Sequence, residues 1–148
     1  MAGENDIVIA AWNTVLFEKF CRFKHLLIDG LSAHSNEALD RHEHPKGARV
    51  LDVGCGFGDS TRLIARRIGP EGRAVGVDCA DNFVKAAELE ARQSDLTNVA
   101  FFVADVQADD LRGPYDFAFS RFGTMFFMMP GAAMRNIRKA LSPEARSR

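Results

Sequence analysis

The chain has 148 residues, 47% of them apolar and 26% charged, with a formal net charge of −1. That is one domain's worth of polypeptide, long enough to bury a core, and its balanced charge gives no bias toward nucleic acid or an anionic membrane. Three cysteines without CxxC spacing supply neither a disulfide framework nor a zinc site.

The first residues, MAGENDIVIAAWN, are acidic and lack the basic leader of a secretory signal. No apolar run approaches the ~18 residues that span a bilayer, so a cytoplasmic location is expected. From about Asp6 to Leu31, Ile9, Trp12, Leu16, Phe20 and Phe23 recur at three- and four-residue steps, which predicts two helices sharing an apolar stripe. The polar stretch SAHSNEALDRHEHPKGA, broken by Pro45 and Gly47, reads as a connector with one short helix. The chain thus divides into a helical cap and connector, residues 1–45, and a second unit, residues 46–148.

That second unit alternates. RVLDV predicts a strand, DSTRLIARRI a helix with Leu63, Ile64 and Ile68 on one face, and RAVGVD a second strand. DNFVKAAELEARQS follows as a helix turning Phe83, Val84, Ala87 and Ala91 inward. VAFFVAD is a third strand, nearly all apolar as both-face burial requires, YDFAFS a fourth, and GAAMRNIRKAL a further helix. Strand–helix alternation of this kind implies an α/β fold with a parallel sheet. The basic run Arg135, Arg138, Lys139, Arg146 and Arg148 reads as a solvated helix face and tail, with a basic patch as the alternative.

Between the first strand and its helix lie Gly54, Gly56 and Gly58. Residues without Cβ let a ligand rest on the main chain, and the following helix N-terminus suits an anionic group. A glycine loop is weak testimony by itself, but the dinucleotide fingerprint wants a glycine at position 59, where this chain has Asp59. Asp78 ends the second strand, where a carboxylate can accept from both hydroxyls of a ribose. Asp105 ends the third, where one can accept from an exocyclic amine. Any one of them could be a solvated strand-end acid; all three strand ends converge on one crevice.

VLDVGCGFG, GVDCADNFV, VAFFVADVQ and YDFAFSRFGTMFF together resemble the successive motifs of class I S-adenosylmethionine-dependent methyltransferases, nearest to the small-molecule branch with the quinone-biosynthesis enzymes. The resemblance covers roughly Arg49 to Pro143. It implies S-adenosyl-L-methionine as cofactor and a Rossmann-like sheet. Gly54, Gly56 and Gly58 would hold the methionine part, with Asp52 acting through the loop or a water. Asp78 would take the ribose hydroxyls, Cys79 would lie against the adenine, and Asp105 with the main chain of Val106 would read its edge. Ser120, Arg121 and Phe122 would flank the methionine and open toward the acceptor.

The family sheet has seven strands, and this sequence supplies four, in the order 3-2-1-4. The resemblance therefore implies an incomplete, C-terminally truncated domain, with an apolar fourth-strand edge open to self-association. Two functions follow: a methyltransferase acting on a small molecule, or a cofactor-binding remnant without turnover. A nicotinamide oxidoreductase is disfavoured by Asp59 and Asp105. SRFG stands where nucleic-acid amino-methyltransferases carry an Asn/Asp-Pro-Pro-aromatic signature, which argues for a small-molecule acceptor. No residue announces itself as a general base. TMFFMM, Thr124 to Met129, is either an apolar acceptor pocket or ordinary packing. His42 and His44 read as a solvated pair ahead of a metal site, Cys55 as a small filler ahead of a reactive thiol, and Trp12 as either a crevice cap or a core anchor.

Overall fold

Short hydrophobic runs, each followed by an amphipathic stretch, give a four-stranded parallel sheet with helices on both faces. It is seen in a computed structural model that describes residues 4–42 and 44–147. Arg148 of the basic run lies outside the described residues. The strands are β1 (Arg49–Val53), β2 (Arg73–Asp78), β3 (Val99–Val103) and β4 (Phe117–Phe119), in the spatial order β3-β2-β1-β4. The expected order and the parallel pairing are both present.

β1 is central, and Val50, Leu51 and Val53 are each 1% exposed or less. Its alternating side chains feed two cores. On one face Val50 and Ala74 pack with Ile64 and Ile68 of α4 (Asp59–Ile68) and with Leu39. On the other, Leu51, Val53, Val75 and Val77 pack with Ala133 and Ala140 of α6 (Pro130–Ala140). α5 (Asp81–Arg92) buries Phe83, Val84, Ala87 and Ala91, the row its periodicity predicts. α4 stops at Gly69, and the buried Asn98 donates its amide hydrogens to Ala65 O and Gly69 O at 3.0 and 2.8 Å, satisfying carbonyls that a helix end leaves orphaned. Among the described residues no helix is long and apolar enough to cross a membrane.

Three expectations need correction. α1 (Glu4–Ala11) runs through a π-helical turn at Trp12–Leu16 into α2 (Phe17–Arg22), and α3 then extends over Lys24–Asp40. Most of the supposed connector is therefore helix. The fully buried positions of α3 are Ser35 and Leu39, one turn apart, and Leu27, Ile28 and Leu31 are half-buried. Phe23 leaves the apolar stripe: it sits at the break between α2 and α3 and is 47% exposed. Val103 is 44% exposed at the end of β3, an edge strand, while Phe102 on its other face is 7% exposed.

Candidate functional site

Parallel strands bring their carboxyl ends to one rim of the sheet, and the loops leaving them converge there. Read across the sheet, the residues beyond those ends are Asp105, Asp78, the glycine bend and Arg121. At the ~4.8 Å spacing of neighbouring strands this row is roughly 14 Å long. Above it lies a cavity of about 300 Å³, floored by these loops and roofed by the N-terminal helices through Ile9, Trp12, Phe20 and Ile28.

The bend is left-handed at Gly54, Gly56 and Gly58, with φ of 69°, 52° and 74°. A Cβ on Gly54 would stand 3.0 Å from Cα of Gly123, and one on Gly58 would stand 2.7 Å from the Phe101 ring. A Cβ on Gly56, on the cavity wall, would meet the Phe83 ring at an ordinary contact distance of 3.9 Å. The bend spends most of its own donors. Gly54 and Cys55 N–H both donate to Val77 O, at 2.8 and 3.0 Å, and Gly58 N–H donates to Cys55 O at 2.9 Å.

Asp78 is fixed by two main-chain donors, Gly56 N–H on Oδ2 and Ala80 N–H on Oδ1, both at 3.0 Å. Each oxygen keeps a lone pair for a further donor. Burial raises its pKa, and those N–H groups oppose the rise. Asp105 accepts from the main chain and side-chain amide of Gln107 on Oδ1, at 3.0 and 3.2 Å, and from the side-chain amide of Asn5 on Oδ2. The acid at the end of β3 therefore already holds an NH₂ group supplied by α1.

Asp52 is buried beneath the bend and accepts the hydroxyls of Ser60 and Thr61 on Oδ2 at 2.7 and 2.6 Å. Burial pushes its pKa up to about 6 despite those two donors. Its Oδ1 has no protein partner. The thiols are quiet: burial and then the charges of Asp78 and Asp105 push Cys79 up to about 12, and burial raises Cys55 well above its ordinary value. Neither is a thiolate nucleophile at neutral pH.

At the β4 end, Arg121 makes a bidentate pair with Asp59, the first residue of α4, at 2.7 and 3.0 Å. It also donates to Ser35 Oγ of α3 at 3.1 Å. Phe122 follows with a φ of 58°, a strained value for a bulky residue, and the ring of His34 meets it edge-on at 5.6 Å. The roof is aromatic. Trp12 packs edge-on against Phe20, Phe83 and Phe126 at 5.4, 6.2 and 4.9 Å. It is pinned by Asn13, which accepts from the main-chain N–H and the side-chain amide of Asn82 at 3.0 and 2.7 Å, and by Lys24, which pairs with Glu90.

Of the residues expected from sequence, Gly54, Gly56, Asp78, Cys79, Asp105, Val106, Arg121 and Phe122 line the cavity. Asp52, Gly58 and Ser120 stand behind its wall. The Ser120 hydroxyl is turned away, donating to Val53 O at 2.8 Å. Trp12 lines the cavity, as do Met125, Phe126 and Phe127 from the TMFFMM stretch. His42 and His44 pack against Phe117 of β4, with ring centroids 6.2 and 5.1 Å away. Sequence reasoning missed Asn5, Ser35 and the part Asp59 plays. Asp59 and Arg121 are 62 residues apart, and only the adjacency of β1 and β4 brings them together.

Residues 50–144 match the family described as a methyltransferase domain. A 2-phytyl-1,4-naphtoquinone methyltransferase of Thermosynechococcus vestitus is 46% identical over 70 residues, 44% of this chain and 31% of that protein. A trans-aconitate 2-methyltransferase of Variovorax paradoxus is 32% identical over 102 residues, 68% of this chain and 36% of that protein. The magnesium protoporphyrin IX methyltransferase of Synechocystis PCC 6803, solved with bound SAH, is similar in fold, with a TM-score of 0.74 at 16% identity over 94% of this chain and 68% of that one. The matched stretches span 31% and 36% of the two curated relatives.

Proposed function

We infer that this chain, which belongs to the methyltransferase-domain family, binds S-adenosyl-L-methionine along the four strand ends and transfers its methyl group to a small-molecule acceptor. The observation that carries the reading is the row itself: an amine acceptor at Asp105, a diol acceptor at Asp78 and a bare-backbone bend, in strand order and under one cavity. An adenosyl sulfonium carries an exocyclic amine, a ribose diol and a compact cation in that same sequence. The wall suits the cation, since its carboxylates Asp59, Asp78 and Asp105 outnumber its one arginine and aromatic faces lie above. Cys79 and Val106 would border the adenine, Gly54 and Gly56 the methionine chain. Gly58 and Ser120 support the bend from behind, and Asp52 acts through the bend by way of Ser60 and Thr61.

When bound, this cofactor supplies an already activated methyl electrophile. The residues of the chain then have to align and to keep water out, and such positioning contributes on the order of 7–11 kcal/mol of barrier reduction. Among the described residues the acidic and basic side chains of the wall are Asp59, Asp78, Asp105 and Arg121. Leu27, Leu31, Phe122, Met125 and Phe126 favour an apolar acceptor. The curated relatives named for a naphthoquinone and for trans-aconitate support a small molecule over a nucleic acid.

Residues 1–45 serve as the cap and 46–148 as the cofactor domain. We assign the chain to the cytoplasm, where the free thiols of Cys21, Cys55 and Cys79 persist. The β4 edge, which pairs only with β1 among the described strands, favours self-association at high concentration.

Calorimetry tests the cofactor reading. Binding of S-adenosylmethionine in the micromolar range is expected, with none for NAD. Asp78→Ala weakens it at least about tenfold, because a buried diol loses its acceptor. Unchanged affinity in that variant would falsify the ribose assignment.

A further inference from the structure

The carboxylate at the end of β3 is already satisfied from within the chain. Its Oδ1 accepts the main-chain N–H and the side-chain amide of Gln107, at 3.0 and 3.2 Å, and its Oδ2 accepts the side-chain amide of Asn5. With two donors on Oδ1, an incoming amine has to use Oδ2, the oxygen that Asn5 holds. The NH₂ of an asparagine is planar, conjugated and a donor only, like the amino group on an adenine ring. Asn5 also lines the cavity, together with Cys79 and Val106. It stands 100 residues from Asp105 in the chain, and α1, laid over the strand ends, brings it there.

α1 itself is lightly held. Asn5, Val8 and Ile9 line the cavity and are half-buried, Ile7 is 68% exposed, and no described side chain of α1 is fully buried. Its attachment changes at a definite point. The π-helical turn at Trp12–Leu16 interrupts the α-helical ladder, and the Thr14 hydroxyl donates to Ala10 O at 2.8 Å across the joint, a back-bond that bends helices. From the joint onward the chain is anchored. Asn13 accepts twice from Asn82, and the rings of Phe17 and Phe20 meet Phe83 at 5.0 and 5.9 Å. A firm base, a break in the ladder and a lightly packed tip make a movable arm.

We propose that α1 is a built-in competitor for the cofactor: Asn5 occupies the amine-acceptor position on Asp105, and an adenine ring binds by evicting Asn5 and swinging α1 outward about the Trp12–Leu16 turn. The exchange trades one NH₂ donor on Oδ2 for another, so the carboxylate keeps its partner in both states. The proposal rests on the cofactor reading above and adds to it a closed state that the ligand must open, with apparent affinity scaled down to the fraction of chains that are open. A lid that folds down onto its ligand would behave in the opposite way.

Hydrogen exchange and calorimetry on the full chain, with S-adenosylmethionine as the probe, test it. Saturating ligand speeds exchange at the amides of Val8–Ala11 and leaves those of Phe17–Arg22 unchanged. Asn5→Ala exchanges fast over Val8–Ala11 even without ligand, and binds S-adenosylmethionine about tenfold more tightly, as release of a hydrogen bond to a charged group requires. Asn5→Asp, which sets a second carboxylate against Asp105, does the same. Tighter binding also shows that both variants are folded. Slower exchange over Val8–Ala11 on binding, or equal or weaker affinity in both variants, overturns the proposal and leaves the cofactor reading standing. S-adenosylmethionine bound by neither the wild type nor the variants overturns both.

Discussion

The two ends of the cavity are built from different material. Beneath β1, β2 and β3 the wall is main chain and short acids, held by strand pairs in register over five residues. At β4 the pairing lasts three residues, and the wall and roof depend on long side chains that bridge elements far apart in sequence: Arg121 to Asp59, Trp12 to Phe83 and Phe126, Lys24 to Glu90. The first end has one geometry because hard contacts exclude any other. The second is held by contacts that each contribute little and can be remade.

The contrast can be broken from the rigid side. Gly58→Val places a Cβ 2.7 Å from Phe101 at a φ of 74°. Left-handed strain and overpacking together cost about 4 kcal/mol in urea denaturation, with cofactor binding lost as well. A mild loss there would mean that the bend is softer than its contacts imply.

A second effect of nearly that size is a pH dependence. The folded pKa of Asp52 is raised from 3.8 to about 6. Folding therefore favours the protonated acid. That contribution is whole below about pH 4 and is lost as pH climbs through the folded value. Asp52→Asn does not titrate, so its stability relative to wild type rises by roughly 2.5 kcal/mol between pH 4 and pH 8. A difference that stays flat across that range would show that the carboxyl is solvated.

On the adjustable side the expected effects shrink. Trp12→Ala removes a half-buried aromatic from the roof and costs about 2 kcal/mol of stability in urea denaturation. Lys24→Ala costs under about 1 kcal/mol, as partly exposed ion pairs do, because Arg62 still holds Glu90 at 2.8 Å. A Lys24 effect as large as that of Gly58 would abolish the distinction between the two ends.

The rigid end was also the legible one. Apolar runs mark β1, β2 and β3, and glycines or an aspartate at each end mark the turn, so local composition sufficed to place Asp78, Asp105 and the bend. The rest depends on partners remote in sequence. The second half of α3 was hidden because a helical stretch that fully buries only Ser35 and Leu39 carries the composition of a loop. Asp59 was legible as a departure from the dinucleotide pattern, but its ion pair was not, since nothing near Arg121 in the chain names its partner. The hydrogen bond from Asn5 to Asp105 depends on how α1 is laid over the sheet, which periodicity does not record.

Asn98 ties three elements together at the end of the sheet away from the cavity. Its side chain caps α4, and its carbonyl accepts the N–H of Ala74 at 3.0 Å as β2 begins. Deuterium should therefore enter the molecule along a gradient, slowest at the amides around that knot and fastest in the segments over the cavity. The roof would then breathe over a sheet that stays shut.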